Sequence, residues 1–391
     1  MATSIRTIRI YQTAIPFRRP FVHAGAARTE ARNLIVEVEL HNGKRGFGEG
    51  VPRDYVTGET LGGCVGAVQT DLLDVVSRFA PDTFGDLLNA LEALPFTTSQ
   101  GRCCHSARCA VELACLDAWS RHFRRSLKDI IGWMGLQNFV GFSSLPRVRY
   151  SGVVSADHPK AVLRSIRKMR LFGLRDLKVK VGFEGDDEVL ALLDRYHGRI
   201  RFRADANGAW KELETAKEKL ALLARAGFCC IEQPMPTDCD DALPALARAT
   251  DLPIMVDESL VSMSDARRHI EAGGVKLFNI RISKNGGLIP AIRLAQAARN
   301  ASMGYQLGCM VGETAILSAA GRWFLQLVPD VSFAEGSFGT FLLKRDISSR
   351  QFRFGFGGRA KPMKGFGLGP AISASTLAAL TDPPPLTLHL G

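Results

Sequence analysis

Lys178-Val179-Lys180, Ala204-Asp205-Ala206-Asn207-Gly208-Ala209-Trp210, Ile231-Glu232-Gln233-Pro234, Met255-Val256-Asp257-Glu258-Ser259 and Ile282-Ser283-Lys284-Asn285-Gly286-Gly287 share one grammar: a short apolar run that ends in charge. From Lys180 through Asp205, Glu232 and Asp257 to Lys284, each step is about 25 to 27 residues, the length of one strand, one helix and two loops. A period of that size with charge at every strand end predicts a parallel barrel whose chemistry lies on one rim.

The alternation continues outward from that stretch. Strands are expected at residues 147–154, around Leu177, and at 201–204, 229–232, 254–257, 277–280, 305–309 and 332–334. Helices at 159–172, 186–197, 212–226, 240–248, 264–272, 288–302 and 314–327 separate them, with Gly173, Gly227 and Gly273 as stops. Eight strands and seven intervening helices make a (β/α)7β barrel of the TIM type without its final helix. Upstream, strands at 5–13, 34–40 and 45–50, a hairpin turn at 41–44 and helical spacing at 61–93 and 106–123 form an α+β capping domain. Residues 16–33, rich in Arg and Gly, and residues 51–63, which carry Tyr55 and Glu59, are expected to be long irregular loops that close over a substrate. In the Gly-rich tail, Phe352, Phe354, Phe356 and Phe366 predict packing against the N-terminal unit. The division is therefore 1–140 cap, 141–340 barrel, and 341–391 a segment returning to complete the cap.

The chain has 391 residues, 46% hydrophobic and 23% charged, as an ordinary globular protein does. Its net charge of +11 is spread over helices and loops with no dense basic run or aromatic-interleaved patch, so a solvated surface is expected rather than nucleic-acid binding. No apolar run approaches the roughly 20 residues that cross a bilayer, and residues 1–10 alternate like a strand, unlike a signal peptide. A cytoplasmic protein follows. The nine cysteines are an odd number, expected as free thiols. Cys103, Cys104, His105 and Cys109 lack the paired spacing of a zinc site, while Cys109 and Cys115 fall in a helical apolar pattern as small buried hydrophobes.

Asp205, Glu232 and Asp257 end three consecutive predicted strands and aim at one spot above the barrel mouth. Three like charges held together repel unless a cation sits among them, and an oxygen-only set suits Mg2+, with Mn2+ as a substitute, better than zinc. Lys180 and Lys284 come from strands two and six, on opposite sides of the ring. Lys178 and Lys180, at i and i+2, leave the same face, so each is expected to discourage the other's protonation. Two amines facing each other across a divalent metal fit removal and return of an α-proton, because the metal stabilises the enediolate of a bound carboxylate. That is racemisation or epimerisation.

At these residues the chain resembles the enolase superfamily, in its muconate-lactonizing branch. The resemblance rests on Lys178-x-Lys180, Asp205-x-Asn207-x-x-Trp210, Glu232-Gln233-Pro234, Asp257-Glu258-Ser259 and Lys284, and it extends to the cap and to Gly365-Phe366-Gly367-Leu368-Gly369. It implies that Asp205, Glu232 and Asp257 hold magnesium, that Lys180 and Lys284 are the acid/base pair, that Lys178 contacts the substrate carboxylate, and that Asn207 and Glu258 support the ligands. A lysine at 284, where an Asp paired with a later His would mark the mandelate-racemase branch, separates the chain from that branch. Tyr55, from the loop expected to close over the substrate, is a candidate contact, and the resemblance adds Glu313 in Cys309-Met310-Val311-Gly312-Glu313-Thr314, where one residue is inserted in the family's Met-x-Glu, and Glu335 in Phe333-Ala334-Glu335-Gly336, where dipeptide epimerases carry an Asp-x-Asp that grips the substrate ammonium. Arg18, Arg19, Arg28, Arg32 and Arg53 are candidates to attract a second anionic group. The activity implied is an isomerase acting on an N-acyl amino acid or dipeptide, alternatively a muconate-type cycloisomerase or an o-succinylbenzoate synthase-type syn-dehydratase. Its partners would be a small carboxylate and further copies of the chain, with neither nucleic acid nor membrane.

Overall fold

The protein is described by a computed structural model that covers residues 3–23, 26–136, 149–154, 158–183, 185–196 and 198–390. The expected boundary at 140/141, residues 147 and 148 of the first predicted barrel strand, and His197 lie outside the described residues. Strands β1 (Ile5–His23), β2 (Ala26–Leu40) and β3 (Arg45–Gly50) form an antiparallel sheet. Helices α1 (Asp54–Thr57), α2 (Leu61–Ala67), α3 (Leu73–Val76), α4 (Phe84–Glu92), α5 (His105–Phe123) and α6 (Asp129–Trp133) follow.

The chain then alternates through β4 (Gly152–Val154), α7 (Pro159–Leu171), β5 (Asp176–Lys180), α8 (Asp186–Leu193), β6 (Arg201–Asp205), α9 (Leu213–Arg225), β7 (Ile231–Glu232) and α10 (Leu243–Arg248). It continues with β8 (Ile254–Val256), α11 (Met263–Ala272), β9 (Val275–Ile280), α12 (Leu288–Asn300), β10 (Gly304–Leu307), α13 (Ala315–Leu327), β11 (Phe333–Ala334), α14 (Gly339–Leu342), α15 (Ala374–Ala379) and β12 (Leu386–His389). Strands β4 to β11 lie side by side in chain order and are all parallel. The sheet curls until its ends meet, where Ser151 N, just before β4, donates 2.9 Å to Ala334 O of β11. Eight parallel strands with seven helices between them agree with the sequence reading.

The cap packs by an unusual absence of side chains. Gly46, Gly48 and Gly50 share one face of β3, and a Cβ on them would fall 2.2, 1.8 and 2.1 Å from the carbonyl oxygens of Ala114, Ala110 and Ser106. Two strand residues advance about 6.7 Å and four helix residues about 6 Å, so glycines at every second position match small residues at every fourth along α5. The helix is buried on all sides from His105 to Ser120. Cys109 and Cys115 are among its buried residues, and all nine cysteines are free thiols.

The structure corrects the reading of residues 16–33. They are strand over most of their length: β1 and β2 pair as far as Pro16 with Glu30, shift register, and pair again from Phe21 with Arg28. Ile15, Phe17 and Ala31 are buried while Arg18 and Arg19 are exposed, an alternation that the Arg-rich composition conceals. Residues 51–63 are likewise partly helical, holding α1 and the start of α2. The tail also differs from expectation. Phe354 stacks on Tyr150 and packs on Phe172, Phe338 and Phe341 at the barrel, while Phe356 and Phe366 are largely exposed. Its contact with the cap comes through Gly367 N to Ser120 Oγ (2.7 Å) and Leu368 N to Asp117 Oδ1 (2.6 Å), and through β12, which adds to the edge of β1. Among the described residues no helix is long and apolar enough to cross a membrane.

Candidate active site

Asp205 and Glu232 close β6 and β7, Asp257 follows β8 by one residue, and all three are fully buried. Asn207 and Gln233, two residues past β6 and one past β7, take positive φ (45° and 39°), so the chain turns sharply just past each carboxylate. Gln233 Oε1 accepts from Asp257 N (2.9 Å), which ties the end of β8 to the end of β7. The carboxylates are linked through shared cations. Lys178 Nζ lies 3.1 Å from Asp205 Oδ2, 3.2 Å from Glu232 Oε1 and 3.0 Å from Glu335 Oε2. Arg281 contacts Asp257 and lies 3.8 Å from Glu232. Among the described residues no three acidic, histidine or cysteine side chains close on a single point.

The two candidate bases sit differently. Lys180, at the end of β5, is 3.0 Å from Asp205 Oδ2 and donates to Asn207 Oδ1, whose amide in turn donates 3.1 Å to Glu258 Oε1. Lys284 is four residues past β9, in a turn rather than on the strand, and is fully buried. Its Nζ donates to Asp257 O (2.6 Å), Asp257 Oδ1 (2.8 Å) and Asn279 O (2.9 Å). Burial first, and then the Arg281 guanidinium, hold its pKa well below that of an ordinary lysine. Strands β5 and β9 have three strands between them in either direction around the ring, so Lys180 and the turn that carries Lys284 belong to opposite sides of the barrel.

The cap holds the Lys284 turn. A ring nitrogen of His105 faces Lys284 O at 2.9 Å, Arg108 donates 2.6 Å to Gly286 O, and Glu112 accepts from Ile289 N at 3.0 Å. Arg108 and Glu112 form a fully buried ion pair one helical turn apart on α5. Glu49 reaches from β3 to the start of α13, accepting from Thr314 N (2.9 Å) and Leu317 N (3.0 Å).

The expectation that Lys178 is hard to protonate is not met. Burial opposes its charge, but Asp205, Glu232 and Glu335 outweigh that and raise its pKa above the ordinary value. Burial likewise opposes ionisation of Asp205, yet Lys178 and Lys180 carry it below the usual range. Glu232 moves upward, by burial and then by the charge of Asp205.

A cavity of about 470 Å³ opens above this floor, lined by Lys178, Lys180, Asn207, Glu258, Glu313 and Glu335, with Tyr55 half-exposed at its edge. Glu313 Oε1 accepts from Met310 N (2.6 Å), and burial pushes its pKa to about 8. None of the five candidate arginines lines this cavity. Arg53 is buried and donates to the backbone carbonyls of Pro52 and Val311, both at 2.7 Å, and Arg32 pairs with Glu30 at 2.8 Å. The sequence reading missed Arg203 and Arg281. Arg203 carried a usable signal, since it stands at i−2 from Asp205 and must share its inward face. Arg281 follows β9 directly, a position where charge had marked the ends of β5 to β8.

In its chemistry, though not in its convergence, the donor set suits a divalent cation. It consists of carboxylate oxygens alone, and buried Asp205 Oδ2 has two ammonium groups near it but no aligned hydrogen bond. Known proteins match the chain in sequence and in fold. The family model described as Enolase C-terminal domain-like matches residues 161–376, and that of the Mandelate racemase / muconate lactonizing enzyme N-terminal domain matches residues 5–132. The chain is similar to N-succinyl-L-Arg/Lys racemase of Bacillus cereus, 28% identical over 388 residues, 96% of this chain and 98% of that protein. The crystal structure of that racemase superposes with a TM-score of 0.85 at 25% identity, covering 99% of this chain and 100% of the other. L-Ala-D/L-Glu epimerase of Escherichia coli is 30% identical over 352 residues, 90% of this chain and 99% of that protein. A dipeptide epimerase from Cytophaga hutchinsonii, crystallised with Mg and D-Ala-L-Val, shares the fold with a TM-score of 0.84 at 23% identity, covering 99% and 100% of the two chains.

Proposed function

The chain belongs to the mandelate racemase/muconate lactonizing enzyme family of the enolase superfamily, and from that premise we propose that it abstracts the α-proton of a small carboxylate and returns it to the opposite face, racemising or epimerising an N-acyl amino acid or dipeptide. It is an enzyme of the isomerase class. The observation that carries the reading is that two lysines from opposite sides of the barrel each meet a buried carboxylate, Lys180 at Asp205 and Lys284 at Asp257. In this reading Asp205, Glu232 and Asp257 hold Mg2+, which when bound supplies the positive charge that offsets the negative charge growing on the substrate carboxylate. Lys284 Nζ and Lys180 Nζ remove and deliver the proton, one on each face, and Asn207 keeps Lys180 aimed. Glu258 supports Asn207, and Lys178 joins Asp205 to Glu232 and presents its ammonium to the carboxylate. Residues 1–140 serve as cap, 141–340 as barrel and 341–391 as the returning segment, in a cytoplasmic homo-oligomer that engages neither nucleic acid nor membrane.

The test is solvent deuterium incorporation at the α-carbon across a panel of N-acyl amino acids and dipeptides with Mg2+ present. Each of Lys180→Met and Lys284→Met is expected to slow exchange by about 10²–10⁴-fold, each for one enantiomer. The double variant should show none. Exchange that persists in the double variant would sink the assignment.

A further inference from the structure

The cavity lined by Lys178 and Lys180 has two unlike walls. On the side of α7 and β11 it is apolar, formed by Met169, Phe172, Leu174, Phe338, Phe341 and Phe354. Phe354 sits at the centre of a preassembled cluster, its ring centroid 5.4 Å from Phe341, 5.9 Å from Phe338 and 6.2 Å from Phe172. The acidic group nearest in sequence to this wall, Glu335, is already neutralised. One oxygen receives Arg203 and the other lies 3.0 Å from Lys178. Arg203 is fully buried in the barrel, anchored 2.8 Å from Ser151 Oγ and laid over the Phe333 ring at 4.7 Å, so it is part of the floor. Two other acids line the cavity. Glu313 receives the Met310 amide, and Glu258 follows β8, three strands around the ring from β11. Lys168 on α7 adds a further cation at the apolar side.

We propose that the substituent received by this wall is an uncharged, apolar N-acyl group rather than the free ammonium of a dipeptide, and that Arg203 sets the choice by occupying Glu335. The inference rests on the reaction proposed above. An ammonium brought against this wall would lose water and meet aromatic carbon, with its would-be counter-ion shared between two protein cations. An acyl chain loses nothing there and gains contact with the rings. Arg203 is a positioning residue in this scheme, since it acts on the ligand through Glu335.

The experiment compares N-propionyl and L-alanyl derivatives of the same set of amino acids, pairs that differ by one ammonium group. Binding to the full chain with Mg2+ is measured by calorimetry, and α-exchange is followed in D2O. The N-propionyl member should bind at least about tenfold more tightly throughout the set. Arg203→Met should narrow that ratio to about threefold or less, and Arg203→Lys, which keeps the charge, should preserve it. Should Arg203→Met fail to fold, Phe341→Ala on the half-exposed α14 is expected to reduce the advantage of N-hexanoyl over N-acetyl ligands by about fivefold. Equal or tighter binding of the L-alanyl members, no binding of either, or a ratio unmoved by Arg203→Met would overturn the inference. A preserved binding preference without exchange of any ligand would uphold it and remove the proposed reaction instead.

Discussion

Asp257 receives Lys284 on one oxygen and Arg281 on the other, so the carboxylate expected to hold a metal here lies between two basic side chains of its own chain. Asp205 shows the same economy with Lys178 and Lys180. A divalent ion would concentrate in one place the positive charge that these side chains distribute, and ligand that binds only the folded state adds stability by mass action. Mg2+ at about one hundred times its dissociation constant is therefore expected to stabilise the protein by roughly 2.7 kcal/mol, read as a rise in thermal midpoint. Asp257→Asn should abolish that rise, and a variant that keeps it would show that the ion binds elsewhere. The acids were legible because charge that ends an apolar run on successive strands has few structural explanations. The arginines were not: Arg203 reads as surface until its register relative to Asp205 is considered, and Arg281, just past β9, has no strand register to mark it. Nor could sequence reveal that Lys178 is raised by its neighbours while Lys284 is lowered, since both shifts depend on which carboxylates end up adjacent.

The elements divide by whether their pattern survives composition. Helices α7, α9 and α12 and their strands follow from apolar spacing, with boundaries within a few residues of expectation. The hairpin extension at residues 16–33 did not, since few of its described side chains are buried and its arginines are many. Strand β3 is the sharper case: Gly46-Phe47-Gly48-Glu49-Gly50 reads as a plain strand, yet its glycine face is the contact surface for α5 and its other face sends Glu49 to α13. Gly48→Ala places a methyl 1.8 Å from Ala110 O and is expected to cost about 3 kcal/mol or more, measured by denaturant titration. A loss under about 1 kcal/mol would mean that sheet and helix part freely. Glu49 itself makes stability depend on pH. Burial raises its pKa from 4.5 to about 7 against the hydrogen bonds it accepts from Thr314 and Leu317. The folded state thus holds the proton more tightly than the unfolded chain, so this contribution is complete below pH 4.5 and is lost as pH rises through about 7. It amounts to about 3 kcal/mol between those limits. Glu49→Gln should flatten the decline between pH 5 and pH 8 but leave part of it, because Glu313, pushed to about 8, titrates in the same sense. An unchanged slope would remove Glu49 from the account.

At the scale of the molecule, the two ends of the chain meet in one sheet. After β11 the chain runs along the barrel, passes between α13 and α5 where Trp323 Nε1 donates 3.2 Å to Leu368 O, and ends as β12 on the edge of β1, with Thr7 opposite His389 and Ile10 opposite Leu386. That edge belongs to the cap, and the cap's α5 holds the turn that carries Lys284 through His105, Arg108 and Glu112. A weakened edge should therefore be felt at the reacting lysine although the two are far apart in sequence. Deleting residues 386–391 removes the pairing of β12, on the order of 2–4 kcal/mol, and leaves the N–H and C=O groups of β1 open to another chain. The shortened protein is expected to melt at lower temperature, to associate through the bared edge in gel filtration, and to lose α-proton exchange on warming before the barrel's own circular-dichroism signal changes. If exchange and barrel signal instead disappear together, cap and barrel unfold as one unit, and the hold of α5 on Lys284 has no separate temperature at which it fails.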